Sequence, residues 1–154
     1  MHQITEFEEV RADGRAIPAA MTLEELLAKN WPRLKVVALR WCSNGTQVGY
    51  SAPGSVAGIV VPGNGFVAAM TFDGPSVENT RLLILLSNGT EHATIEPHAR
   101  HMGADRRGYW NWFEPAIIQR AVVFVAVLTT LFDGDFLCDI DARTAQVLAV
   151  RRTR

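Results

Sequence analysis

The sequence predicts an α+β fold: an antiparallel meander of roughly six to eight strands against one long helix, with two short helices ahead of it. Three observations predict it. Short apolar runs divided by turn residues fill 34–96, one unbroken apolar stretch runs from Glu114 to Phe132, and two Thr-x-x-Glu signals stand near the N-terminus. With 154 residues, 48% hydrophobic and 20% charged, the chain is expected to form a single domain over 1–154 with its own core.

The first Thr-x-x-Glu signal is Thr5-Glu6-Phe7-Glu8, with Ile4, Phe7 and Val10 on one helical face and Asp13-Gly14 as the stop. The second is Thr22-Leu23-Glu24-Glu25, followed by a Leu23, Leu26, Leu27 stripe that Asn30, Trp31 and Pro32 end. Both helices are expected to dock on the sheet or lie at its edge. Strand 34–42 then meets Ser43-Asn44-Gly45-Thr46, and Asn-Gly tolerates the positive φ angles of a type I′ hairpin turn. Its return is expected over 46–51. Strands 56–61 and 65–72 flank Pro62-Gly63-Asn64-Gly65, and strand 80–87 is apolar on both faces, which requires cover on both sides. A second Ser-Asn-Gly-Thr turn at 87–90 leads into strand 90–96. The two turns lie 44 residues apart, yet the strands before them differ, so shared hairpin chemistry explains the likeness better than duplication.

Over 114–132, steps of three and four place Ile117, Ala121, Phe124, Leu128 and Leu131 in one stripe, with Pro115 in the first turn and Asp133-Gly134 as the stop. Val122, Val123, Val125, Val127, Thr129 and Thr130 favour a strand individually. Length decides for the helix, because the run is about three times an ordinary strand of 5–6 residues. The layout resembles helix-grip ligand-binding folds, in which a sheet wraps a helix above a cavity, although no residue motif carries that likeness. A final hairpin is expected from 135–140 and 145–151 around Asp141, whose carboxylate can accept from turn N–H groups.

The net charge of −1 provides no steering towards nucleic acid, and no recognition motif for it occurs. MHQITEFEEV has acids where a signal peptide has bases, and 114–132 contains Gln119 and Arg120, so a cytoplasmic protein with no membrane span is expected. Cys42 and Cys138 read as buried thiols. Neither a Gly-x-Ser-x-Gly elbow nor a glycine-rich phosphate loop is present.

The segment Pro97 to Gly108, leading through Tyr109 to Trp112, reads as a long loop ending at a helix N-terminus. It concentrates His98, Arg100, His101, Arg106 and Arg107 beside Trp110 and Trp112, and alternation puts His92, Thr94 and Glu96 on one face of the strand before it. The predicted function is a non-catalytic ligand-binding or regulatory domain. It would take a small anionic or aromatic ligand on these arginines and indoles. Surplus apolar surface predicts a homodimer. No cofactor is implied. His92, His98 and His101 are weighed as metal ligands, but His-x-x-His in a loop lacks the register of a helical zinc site. Two alternatives stay open: a small acid/base enzyme using His92, Glu96, His98 or His101, and a protein-interaction module of the inhibitor or immunity type, which would show a flat interface and no enclosed pocket.

Overall fold

The computed structural model describes residues 3–63, 65–114 and 120–153. Among them the chain is nearly all β, with thirteen strands in three antiparallel sheets. The expected α+β fold, with its sheet packed on a long helix, is therefore corrected. The N-terminal sheet is ordered β2 (Ala16–Pro18), β1 (Ile4–Arg11), β3 (Val36–Ser43), β4 (Thr46–Ser51). The middle sheet runs β5 (Ser55–Val60), β6 (Phe66–Phe72), β7 (Thr80–Leu86), β8 (Glu91–Ile95). In the C-terminal sheet the order is β13 (Gln146–Arg152), β12 (Asp135–Asp141), β11 (Val123–Thr130), β10 (Ala104–Glu114), β9 (His98–His101). Contacts between β9 and β13, at its two ends, curl this sheet into a near-closed barrel.

The middle sheet is covered on both faces, as the two-sided apolar pattern of 80–87 requires. Leu83 and Leu85 of β7, with Val67 and Ala69 of β6, pack against Phe7, Leu39 and Trp41 of the N-terminal sheet. Their neighbours Leu82, Ile84, Ala68 and Met70 face Trp110, Phe124, Leu128 and Phe136 of the C-terminal sheet. Full burial stabilises each Leu or Ile by about 1.5–3 kcal/mol. Both buried indoles are tied to this layer: Trp41 Nε1 donates to Ser87 O at 2.7 Å and Trp110 Nε1 to Ile95 O at 2.9 Å. On the N-terminal side the contact depends on Gly58, where a Cβ would stand 2.6 Å from Leu39 Cδ1. Glu9 of β1 sits at the same contact. Burial raises its carboxyl above the ordinary value, and a hydrogen bond from the Gly58 backbone partly offsets the rise.

The long helix over 114–132 is overturned. Residues 115–119 lie outside the described ones, but Val123–Thr130 is a strand paired with both β10 and β12, and Leu131 and Phe132 are exposed at its end. Two features explain the error. The β-branched residues followed their local preference, and a strand with both neighbours in place and buried side chains on both faces is apolar throughout, so alternation disappears. The first predicted helix is also a strand, β1. Glu6 at φ 54° forms a bulge, with Thr5 opposite Cys42 and Glu8 opposite Arg40, which brings Ile4 and Phe7 to the same buried face. Spacing by three then imitates a helix.

Only the second N-terminal helix exists, as α1 (Leu23–Ala28), and Thr22 caps it by accepting from Glu25 N at 3.1 Å. It buries none of its residues, and Leu23 and Leu27 are each 70% exposed. Asn44 (φ 51°) and Gly45 (φ 79°) make the expected tight turn between β3 and β4. The second Asn-Gly turn differs. Only Gly89 has positive φ there, Gly89 N donates to Leu86 O, and Asn88 Oδ1 accepts from Thr90 N, giving a longer loop and no sign of duplication. In the last hairpin Asp141 Oδ1 accepts from the N–H groups of Arg143 and Thr144, the role its position suggests.

Candidate functional site

Residues 97–108 are not a structureless loop. They form the β9–β10 hairpin, turning at Met102 (φ 52°) and Gly103 (φ 79°), with Arg100 opposite Asp105 and His98 opposite Arg107. Strand geometry sends neighbouring side chains to opposite faces, and this divides the predicted site. Ala99, His101, Arg106 and Trp110 turn towards the barrel interior, whereas His98, Arg100 and Arg107 are exposed.

At the barrel end, Phe136 lies 5.1 Å from the His101 ring and 5.5 Å below the Arg106 guanidinium, with Arg152 over it at 5.3 Å. Arg106 is also bound to Asp133 at 3.0 Å. Beyond this stack the turn residues Leu131 and Phe132 are exposed, Phe132 by 90%, and so is Met102 at the tip of the β9–β10 hairpin. Arg100 pairs with Asp105 at 3.5 Å and Arg151 with Asp139 at 2.8 Å, so three of the arginines here, counting Arg106, already hold carboxylates.

The remaining predicted residues are dispersed. Trp110 is core, while a bulge after it leaves Trp112 exposed, its Nε1 donating to Glu114 at 3.0 Å. His92 is exposed, 2.9 Å from Arg143 O and with its ring tilted against that of Phe66. Glu96, His98 and Arg100 line an open groove of about 600 Å³ between β9 and β13, but Arg106, Arg107, Trp110 and Trp112 do not. A larger open cleft of about 830 Å³ lies between the two Asn-Gly turns, lined by Gln47, Val48, Phe66 and Asn88 and by none of the predicted residues. The small-ligand pocket is thus without support. Its arginines and indoles do not converge, because the segment is a strand pair with two faces and the helix expected beside it is a strand.

Among the described residues no group of three His, Cys, Asp or Glu side chains could hold a metal ion. Burial pushes the Cys138 thiol up to about 12, which keeps it protonated and inert near neutral pH. Cys42 is raised too, first by its hydrogen bond to Glu6 and then by burial. Among the described residues no helix is long and apolar enough to cross a membrane.

One cluster escaped the sequence reading. Trp31, just after α1, has Arg11 at 4.9 Å, Arg15 at 5.0 Å and Lys29 at 5.5 Å from its ring centroid. The available signal was a tryptophan amid alternating cations, read only as a helix stop.

These features define a mostly β, three-sheet protein whose concavities among the described residues are open grooves. No protein-family profile and no curated protein sequence matches the chain. A chain in the solved structure of Tne2 in complex with Tni2 superposes on it with a TM-score of 0.90 and 24% sequence identity, covering 99% of this chain and 100% of that one. The two share a fold, and the structural neighbour is found in a protein–protein complex.

Proposed function

We propose that this chain is a protein-interaction module of the inhibitor or immunity type, whose work is to cover a partner protein. The observation that carries the reading is the superposition along nearly the whole chain on a chain from the Tne2–Tni2 complex. Two features of this molecule support it. Three packed sheets make a body with little reason to change shape on docking, and large apolar side chains such as Phe132, Leu27 and Leu23 stand in solvent.

The test is to express the tagged chain in its native cells and purify it at high salt. The expected result is one co-eluting protein in stoichiometric amount, which rebinds after separate purification with a Kd of roughly micromolar or tighter. Elution of the chain alone, together with thermal stabilisation by a small acid or nucleotide, overturns the reading.

A further inference from the structure

We infer that the α1–Trp31 flank is where the partner docks, and that the partner presents a carboxylate beside aliphatic or aromatic side chains there. The inference deepens the proposed function and rests on it.

Four observations converge on this flank. First, α1 is the one α-helix among the described residues and buries nothing, leaving Leu23 and Leu27 in solvent with Leu34 partly exposed nearby. An amphipathic turn without a covering layer has its apolar side available. Second, a pocket of about 320 Å³ opens there, lined by Arg11, Ile17, Leu26, Leu27, Trp31 and Leu34, large enough for one or two side chains.

Third, its wall contains a buried cation. Arg11 is only 4% exposed; its Nη2 donates to Pro32 O, while the buried Nη1 is ion-paired with Asp13 Oδ2 at 3.5 Å but makes no hydrogen bond. A desolvated guanidinium without its full set of acceptors is costly, and a carboxylate docked at the pocket would offset part of that cost through its charge. Fourth, the charge is unbalanced. Asp13 is the one carboxylate serving the three cations around Trp31, reaching Arg15 at 3.7 Å as well as Arg11. Lys29, Arg33 and Lys35 have no ion-pair partner among the described residues. Residues 11–35 contain five cations against three anions in a chain whose net charge is −1. The barrel end, the rival surface, is nearer to balance: Arg100, Arg106 and Arg151 each pair with an aspartate, while Arg107 and Arg152 have no ion-pair partner among the described residues.

The flank therefore offers an aliphatic ledge, a π face and an excess of positive charge around one small concavity. An acidic, apolar protein segment matches all three: its carboxylate meets the accessible Arg15 and Lys29 beside Trp31, while its apolar neighbour fills the space between Leu27 and Trp31.

Lys29 and Lys35 are the chain's only lysines, so amine-reactive labelling read by mass spectrometry reports on this flank directly. In the complex with the captured partner, labelling of Lys29 is expected to fall about fivefold or more. The L27A/K29E double variant should weaken binding by about tenfold or more, with thermal unfolding unchanged. A complex that forms while Lys29 labels at its free rate, and that F132A disrupts but L27A/K29E does not, overturns this site and leaves the proposed function standing. Absence of any stoichiometric protein partner removes the proposed function itself. Protection of Lys29 that grows with the chain's own concentration, without partner, makes a second copy the occupant and overturns the inference.

Discussion

The middle sheet and the α1–Trp31 flank use leucine in opposite ways. Leu82, Leu83 and Leu85 are wholly buried between two outer sheets, whereas Leu23 and Leu27 reach into solvent from a helix that touches little. In the first region apolar surface supplies stability and in the second it remains available. The difference teaches that hydrophobic content alone does not separate a core from a docking surface. What separates them is the neighbour: uncompensated cations and an unsatisfied guanidinium accompany the exposed leucines, while the buried ones are surrounded by carbon.

Substitutions break or sharpen that contrast in a graded way. Leu83→Ala removes a side chain with no exposed surface and is expected to lower stability by about 2–5 kcal/mol, read as an earlier urea midpoint. A loss under about 0.5 kcal/mol, the range of ordinary surface changes, would show that the layer is not covered on both sides. Gly58→Ala drives a methyl into Leu39 and should destabilise by about 1–3 kcal/mol through overpacking. An unchanged midpoint would mean that the two sheets stand further apart.

Glu9 gives the contrast a pH dependence. Its carboxyl is raised in the folded chain by burial, so the folded state holds its proton more tightly than the unfolded state does. The resulting stability is fully present below the ordinary carboxyl value and is lost as pH rises through the raised one. Glu9→Gln should flatten that part of a stability–pH profile and leave the variant the more stable at neutral pH. A profile that keeps its slope would acquit Glu9. The smallest effect on folding belongs to Leu27→Ala, expected within about 0.5 kcal/mol of the parent by thermal melting. A large loss there would mean that α1 is part of the core after all.

Much of the middle sheet was legible in the sequence. Leucines and isoleucine in unbroken series at 82–85 marked a strand covered twice, and in the N-terminal sheet Asn44-Gly45 marked the β3–β4 hairpin. Where reading failed, one period imitated another. The Glu6 bulge set Ile4 and Phe7 three residues apart, and β11, buried on both faces, lost the alternation that distinguishes a strand. Met102 adopts a positive φ that its side chain gives no reason to expect, so the β9–β10 turn read as open loop. That error carried the site with it, since a loop can gather arginines and indoles that a strand distributes to two sides. The Trp31 cluster was hidden for another reason: Arg11, Arg15 and Lys29 meet the ring only after the β1–β2 turn and α1 fold back on each other.

A layer that needs cover from two directions also sets an order of events on the ribosome. Strands β1 to β4 emerge first and are waiting when β5 to β8 appear, so one side of the new meander is clothed at once. The side bearing Met70, Leu82 and Ile84 must wait until β10 to β12 have been synthesised. A nascent chain paused near residue 96 thus displays a single bare greasy sheet, and chaperone capture and misassembly should both peak at that length.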